Sequence, residues 1–459
     1  LAEVYRKLGK TNYKLGKYKQ SRDYYKRSID LLENEADNSQ LAELYNMMGV
    51  NLKLLDDYQE AFSFHQKALQ VFRQKGDSSK IASTLGHLGS LYWKQSSYDS
   101  AEKKFRQTLN IRKIQKDTAG IINAYNNLGI VSKNQGSYDD AINYHQEALR
   151  MARIHNLEAE EATILNHLGS VHMKLRHYKD ASRYYQEALS LKKSLSDLRG
   201  AGTIYNNLAI LNRNNEAYDS ARYYFDKSLE IRRDNGNKKL IANTYNNIGS
   251  MYWKMNFYDK ALKHYLKALS LRNESGDKKG IASSYNNIGM LYQNINNYEK
   301  ALDYYKKALK ITKETGNEKE IAYALHIIGN SYLHLDNYDK ALENYQQSLL
   351  LRKEIGDKFY IAQSLNNLGL VYEKMGEHER ALEFLKSSLN HRRKIGDKTG
   401  MCSALNDIGN FHSNRGNTEK AKQAYLSVIE IGRENNQNFY LSLCSRKLAK
   451  IYSENGQEN

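Results

Sequence analysis

The sequence predicts an all-α protein in which pairs of helices stack into a solenoid. Three observations predict this fold class. One pattern recurs every forty residues without insertion, each forty-residue row carries two apolar stripes at helical spacing, and the 459 residues include no proline. A fixed period of this size is typical of repeat architectures, and the absence of proline permits long unbroken helices.

The repeat is visible as columns when the chain is written in rows of forty, each numbered from position 1. Position 9 is almost always glycine, position 18 tyrosine, position 21 alanine and position 29 leucine. The glycine column contains Gly9, Gly49, Gly89, Gly129, Gly169, Gly249, Gly289, Gly329, Gly369 and Gly409. Because a mid-helix glycine costs about 1 kcal/mol relative to alanine, its recurrence predicts a close approach between helices that a larger side chain would prevent.

Each row is expected to form two helices, A and B. In row 281–320, Ile281, Tyr285 and Ile288 recur at helical spacing and give helix A one apolar stripe. Helix B then begins at about Tyr298, after an Asn-Asn turn. The Gly316-Asn317 pair ends the row, because glycine suits a left-handed C′ position and the following Asn or Asp can cap the next helix.

These residues carry a family resemblance. The pattern Tyr285-x2-Ile288-Gly289-x2-Tyr292, followed by Ala301-x3-Tyr305 and Ala308, resembles the tetratricopeptide repeat (TPR) over essentially the whole chain. Tyr or Leu replaces the usual first Trp, the late Pro is absent, and the period is forty rather than thirty-four. This longer form is similar to the repeats of kinesin light chain, of the spindle-orientation adaptors and of bacterial TPR signalling proteins. The resemblance implies a right-handed superhelix whose A helices line a concave groove.

The predicted domain organisation is a single TPR solenoid spanning residues 1–459. It contains eleven helix pairs and a terminal capping helix at about 439–454; the rows start at residues 1, 41, 81, 121, 161, 201, 241, 281, 321, 361 and 401. Solenoids require capped ends. Since the first row has no such cap, we expect the native chain to extend upstream.

One face of helix A is predicted to meet a partner. The apolar stripe occupies positions 1, 5, 8, 9 and 12, so positions 3, 7, 10 and 14, flanked by 6 and 13, point the other way; we call this surface the A face. Paired asparagines recur on it although asparagine is a poor helix former: Asn126, Asn127, Asn206, Asn207, Asn246, Asn247, Asn286, Asn287, Asn366 and Asn367. Because a primary amide both donates and accepts hydrogen bonds, the column could hold a peptide backbone. The alternative interpretation is that the position 6 asparagine bridges neighbouring A helices.

Charge on the A face is selective. The chain carries a net charge of +17, yet rows 81 to 360 have no Asp or Glu at the six A-face positions. Basic residues do occur there: Lys94, Lys133, Lys174, Arg213 and Lys254. The pattern favours an acidic partner segment, although a lysine fringe that keeps an open surface soluble would give the same pattern.

Positions 10 and 13 alternate with a period of eighty residues. Position 13 is large and apolar in odd rows, where it includes both tryptophans of the chain, Trp93 and Trp253, and polar in even rows; position 10 alternates in the opposite sense. Either the two positions pack together, or the tryptophans anchor partner side chains at intervals of about 20 Å.

Motifs for catalysis are missing. The sequence contains no His-Glu-x-x-His, Gly-x-Ser-x-Gly or paired-cysteine motif, and Cys402 and Cys444 read as small buried thiols. His155, His167, His172 and His177 lie close in sequence, but their spacing fits no zinc pattern. We therefore expect solvated histidines, no metal, no cofactor and no enzymatic activity.

The sequence thus predicts a non-enzymatic scaffold that binds an extended acidic or amphipathic segment of a partner protein. Nucleic acid is disfavoured, because an RNA-reading repeat needs variable side chains and aromatic stacking in every row. The alternative is the ligand-sensing region of a larger bacterial signalling protein, such as a sensor kinase, cyclase or transcription regulator.

Overall fold

The computed structural model describes residues 1–32, 39–435 and 437–454, and all regular secondary structure within these ranges is helical. The chain divides into two compact units, residues 1–235 and 236–459. The fold is therefore an all-α solenoid of helical hairpins, as the sequence predicts. That the rows form one continuous solenoid stays a prediction.

Unit 1 contains six hairpins, each pairing an odd-numbered A helix with the following B helix. The helices are α1 Ala2–Lys14, α2 Tyr18–Leu32, α3 Ser39–Leu54, α4 Tyr58–Gln74, α5 Ser78–Lys94, α6 Tyr98–Ile114, α7 Thr118–Gln135, α8 Tyr138–Ile154, α9 Glu158–Lys174, α10 Tyr178–Ser194, α11 Leu198–Asn214 and α12 Tyr218–Asp234.

Unit 2 contains five hairpins and a last single helix. The helices are α13 Lys238–Lys254, α14 Tyr258–Glu274, α15 Lys278–Asn294, α16 Tyr298–Thr315, α17 Glu318–His334, α18 Tyr338–Ile355, α19 Lys358–Lys374, α20 His378–Ile395, α21 Lys398–Ser413, α22 Thr418–Glu434 and α23 Asn438–Glu454. The last helix packs on α22.

The row boundaries form as the sequence predicts. Gly316 ends α16 in the left-handed conformation, with φ of 67°, and the side chain of Asn317 accepts a hydrogen bond from the backbone N–H of Glu320. Within the described ranges, three rows place a residue other than glycine at the same point, among them Lys116 with φ of 54°. These rows therefore carry backbone strain that glycine avoids.

The column glycine receives an aromatic ring. A Cβ added to Gly289 would lie 2.5 Å from Tyr305, so only glycine permits this ring to lie flat on helix A. The ring comes from position 25 of helix B and is among the largest fully buried side chains in several rows, as at Tyr185, Tyr305 and Tyr345. The predicted close approach is confirmed, and the group that approaches the glycine is this ring.

Buried arginines join consecutive rows. The Arg352 guanidinium donates to the backbone carbonyl of Tyr360 at 2.9 Å and to the hydroxyl of Ser364 at 2.6 Å. Arg272 makes the same pair of bonds, to Gly280 and Ser284. The end of one B helix is thereby tied to the first two turns of the next A helix.

Candidate partner-binding face

The asparagine pairs lie on the A helices, half-buried in most rows, with Asn206 and Asn366 buried. Several of their amides bond polar side chains of a neighbouring row. The position 6 side chain bonds the position 7 side chain of the next row, 41 residues later, as in Asn287 Nδ2 to Asn246 Oδ1 at 2.7 Å and Asn207 Nδ2 to Asn166 Oδ1 at 2.8 Å. We call this series the amide ladder. It matches the alternative interpretation, in which the position 6 asparagine bridges neighbouring helices.

Other residue types fill some rungs of the ladder. The His167 ring bonds Asn126 Oδ1 at 2.7 Å, Asn366 Nδ2 donates to Asp407 at 2.8 Å, and Lys447 Nζ donates to Asn406 Oδ1 at 2.7 Å. Each of these contacts also spans 41 residues. These positions therefore require two side chains that can form a hydrogen bond with each other, and asparagine is not the only residue that can do so.

Two asparagines stand where a rung cannot form. The residue 41 positions before Asn127 is Gly86, which has no side chain, and the residue 41 positions after Asn286 is Ile327. The Oδ1 of Asn286 is buried and has no hydrogen-bond partner among the described residues. A buried amide oxygen without a partner is costly, so these two amides are the members of the column best suited to a ligand.

The alternation of positions 10 and 13 has an explanation across rows. Position 13 of one A helix meets position 10 of the next, 37 residues later: Lys53 Nζ donates to Ser90 Oγ at 3.1 Å, and Lys133 Nζ to Ser170 Oγ at 3.2 Å. In the same register Trp93 precedes Ile130 by 37 residues. Polar residues thus pair with polar ones, and apolar with apolar.

Unit 1 holds two lysine pairs in this arrangement. Burial, and then the charge of Lys94, lower the pKa of Lys53; burial, and then the charge of Lys174, lower the pKa of Lys133. Within the described part of the chain, none of these four ammonium groups forms a salt bridge with a carboxylate. Sequence reasoning named Lys94, Lys133 and Lys174 but missed Lys53, whose only signal was its place in the eighty-residue alternation.

Each unit places one tryptophan on the A face. Trp93 is half-buried, and its Nε1 is buried with no hydrogen-bond partner among the described residues. In unit 2, Trp253 lines a cavity of about 130 Å³ that also includes the ladder residues Asn246 and Asn287 and the partly exposed Met290. The remaining predicted cations differ in exposure, since Lys254 is exposed and Arg213 half-buried.

Two pairs of histidine rings in contact lie beside the lysines, and sequence reasoning missed both. His65 and His87 have ring centroids 5.2 Å apart, and His145 and His167, 80 residues later, 5.5 Å apart. Burial and the charge of Lys53 lower the pKa of His87 to about 4. His65 and His145 occupy the position 25 pocket against the column glycine, where most rows have tyrosine or phenylalanine. The sequence signal for these pairs was therefore the histidine that replaces the usual residue at position 25.

Two of the four clustered histidines differ from the prediction, since His155 and His177 are exposed but His167 and His172 are not. His167 is a rung of the amide ladder, and both ring nitrogens of His172 are buried without a partner among the described residues. His172, His177 and Asp180 place one ligand atom each within 4.8 Å of one another. Linear spacing failed here because a helix–turn–helix, not a short loop, brings the groups together.

The prediction for the cysteines is confirmed, since Cys402 and Cys444 are both buried thiols. Among the helices in the described ranges, none has the length and apolar character needed to cross a membrane.

Comparison with known proteins supports the repeat assignment. The family model described as Tetratricopeptide repeat matches residues 40–114, 80–154, 120–194, 160–234, 240–314 and 320–394, and a second model of that description matches residues 2–34. A model described as Anaphase-promoting complex subunit 5 matches residues 370–455. No curated protein sequence matches the chain.

Solved structures with a similar fold include aspartyl phosphate phosphatase F from Bacillus subtilis, which is 15% identical, covers 76% of this chain and 93% of its own, and has a TM-score of 0.51. Yeast Tom70 is 15% identical, covers 100% of this chain and 99% of its own, and has a TM-score of 0.48. A signal transduction ATPase with a tetratricopeptide repeat sensor from Pyrococcus horikoshii is 19% identical, covers 77% of this chain and 53% of its own, and has a TM-score of 0.49. Identities this low show the fold alone. With family matches across most of its length, this chain belongs to the tetratricopeptide-repeat family.

Proposed function

We propose that the A face of unit 1 binds an extended, acidic segment of a partner protein. Tetratricopeptide repeats are typically non-catalytic scaffolds for protein interaction, so the family supports the general role. The specific proposal rests on the two lysine pairs, Lys53 with Lys94 and Lys133 with Lys174.

Within the described ranges no carboxylate pairs with these lysines, so each lysine pair could accept an anion from a partner. Lys53 and Lys133 are half-buried, and each is repelled by the charge of a second lysine. Burial and repulsion both raise the free energy of the folded protein. A carboxylate placed between Lys53 and Lys94, or between Lys133 and Lys174, would relieve that repulsion. Since the two pairs repeat after 80 residues, or two rows, they are spaced for acidic residues along an extended strand at intervals of about 20 Å.

Other groups on the A face fit such a segment. The amide of Asn127, whose rung is missing, is the member of the unit 1 column that remains to bond a peptide backbone. Trp93 lies in the same row as Lys94, whose Nζ is 5.1 Å from the centroid of its ring, and offers an apolar surface to a neighbouring side chain. In unit 2, the cavity beside Trp253 and Met290 has room for one aliphatic side chain, which suits an amphipathic segment.

The proposal is tested by selecting random peptides from a display library with the purified chain. The variant Lys94→Glu/Lys174→Glu is compared with Lys26→Glu/Lys103→Glu, which makes the same charge change on exposed positions of the B helices α2 and α6. We expect the wild type and the B-helix variant to enrich peptides rich in Asp and Glu, with binding that weakens as salt rises. The A-face variant should lose this enrichment.

A second comparison separates a ligand role from a structural one. Asn127→Ala should weaken peptide binding without lowering the melting temperature, whereas Asn246→Ala, which removes a ladder rung, should lower it. Equal peptide selection by the wild type and the A-face variant, with both folded, would refute the proposal. Selection of basic peptides, or tighter binding of RNA than of any peptide, would refute it as well.

A further inference from the structure

Three potential metal ligands meet at the turn between α9 and α10 in unit 1. His172 lies in the last turn of α9, His177 is the residue before the first turn of α10, and Asp180 lies in that first turn. Their ligand atoms all lie within 4.8 Å of one another. Around a tetrahedral zinc ion, neighbouring donor atoms are roughly 3.4 Å apart. Small side-chain rotations, above all of the exposed His177, would bring the three ligand atoms to that spacing.

His172 supplies the second, independent observation. Both of its ring nitrogens are buried, and neither has a hydrogen-bond partner among the described residues. A neutral imidazole always has one N–H donor and one acceptor nitrogen, and leaving both without partners is unfavourable. A metal ion bound to the acceptor nitrogen would give this ring the partner that the protein does not provide.

The other rows show that this combination is specific to row 161–200. The three ligands occupy positions 12, 17 and 20, where row 281–320 has Tyr292, Asn297 and Lys300. His412 repeats the first ligand in row 401–440, but it is followed by Asn417 and Lys420. Position 20 is acidic in two other rows, at Glu60 and Asp140, and position 17 varies among the rows, so the feature specific to row 161–200 is the two histidines beside the acid. Packing does not explain this combination, because the other rows fold without it.

The nearby charged groups permit binding. Burial lowers the pKa of His172, while the charge of Asp180 opposes that shift. One cation competes for the site: Arg183 lies 3.4 Å from Asp180 Oδ1 and stacks on the Tyr184 ring, 4.6 Å from its centroid. Because both the Arg183 and the Asp180 side chains are well exposed, a dication can displace the guanidinium.

We propose that His172, His177 and Asp180 form a three-ligand site for a late first-row dication, with zinc the best fit. Two imidazole nitrogens and one carboxylate oxygen are the donors that zinc accepts, and three protein ligands leave one position for water or for a group from a partner. Binding fixes the angle between α9 and α10 at this turn, independently of how the A face meets a peptide.

The chain itself offers a variant that tests the site and is expected to fold. His172→Tyr/His177→Asn/Asp180→Lys installs the residues of row 281–320 at the same repeat positions. The matched control is His412→Tyr, which removes a histidine from the equivalent position of a row without the other two ligands. The full chain is stripped of metal with a chelator, titrated with zinc by calorimetry, and titrated with cobalt to record the visible spectrum of the bound ion.

We expect the wild type and the His412→Tyr variant to bind one more zinc ion than the triple variant, and zinc to raise their melting temperatures. His177→Asn alone should weaken zinc binding by more than about tenfold, the loss that removing even a partner of a ligand typically causes. Arg183→Ala should strengthen it. The proposal is overturned if the triple variant binds zinc with the stoichiometry and affinity of the wild type, or if zinc leaves the melting temperature of every variant unchanged.

Discussion

The Nζ of Lys133 lies 3.2 Å from the Oγ of Ser170 on the next A helix. The bond leaves the ammonium group half-buried and without a carboxylate partner in the described ranges. Since burial, and then the charge of Lys174, lower the pKa of Lys133, this lysine costs stability that a structural residue would not. Such a cost is typical of residues kept for binding.

Replacing Lys133 should therefore stabilise the fold and weaken peptide binding together. Lys133→Met keeps the aliphatic stem and removes the charge, so we expect unchanged stability or a gain of about 0.5–1 kcal/mol, after the loss of the Ser170 bond. Thermal unfolding measures the first effect and the affinity for a selected acidic peptide the second. Lys26→Met, on the exposed face of α2, should change neither. A clear loss of stability in Lys133→Met would show that the lysine is structural.

The histidine pairs predict acid sensitivity of unit 1. The pKa of His87 and that of His167 are lowered to about 4, chiefly by burial, below the unfolded value of about 6.5. As the pH falls through this window, the unfolded chain takes up protons first, so the stability is full above about pH 6.5 and is lost between pH 6.5 and 4. The loss should be about 1–2 kcal/mol for each such histidine by pH 5.

Burial also lowers the pKa of His65 to about 3 and lowers that of His145, so a variant with phenylalanine in the ring pocket removes one titrating ring from each pair. His65→Phe/His145→Phe installs the residue that Phe105 and Phe225 already provide at this position of the repeat. The variant should be at least as stable as the wild type at pH 7.5 and should lose less stability at pH 5, as measured by urea unfolding at both pH values. If the stability of the two proteins fell equally with pH, the acid sensitivity could not be assigned to these histidines.

The buried arginine of row 321–360 predicts a strong energetic coupling. Arg352→Thr leaves the carbonyl of Tyr360 and the hydroxyl of Ser364 without their donor, which should cost about 2–4 kcal/mol. Arg352→Thr/Ser364→Ala reproduces the natural pair Thr312 and Ala324 one row earlier, so it should recover about 1 kcal/mol of that loss. A double-mutant cycle in urea measures the coupling, and strict additivity of the two changes would exclude it.

The left-handed residue after α6 predicts a simple stabilising substitution. Lys116 has φ of 54° where Gly76, one row earlier, has 66°. Lys116→Gly should therefore raise the stability by about 1 kcal/mol, because glycine adopts this conformation without strain. In contrast, Lys75→Gly changes a residue with φ of −87° and should lower the stability. The two melting temperatures move in opposite directions if backbone strain is the cause.

The helices were predictable because each depends on residues close in sequence. The Tyr298 start of α16, the Gly316 end and the Asn317 cap follow from local backbone preferences, and the column glycine follows from packing within one hairpin. The candidate site depends on contacts between rows. Asn246 contacts Asn287 and not Asn286, and Lys53 contacts Ser90, because neighbouring A helices are offset along their axes. No sequence pattern within one row specifies that offset. The meeting of His172 with Asp180 was missed for a different reason, because the turn between two helices of one row brings these residues together.

The matching of position 13 with position 10 in the next row limits how this protein can change length. Removing residues 121–160 would bring Trp93 against Ser170 in place of Ile130, whereas removing residues 121–200 would bring it against Ile210. Only the second deletion leaves an apolar neighbour for the indole. During evolution, rows should therefore be gained or lost two at a time. An array altered by a single row would contain one contact between A helices in which an apolar residue faces a polar one.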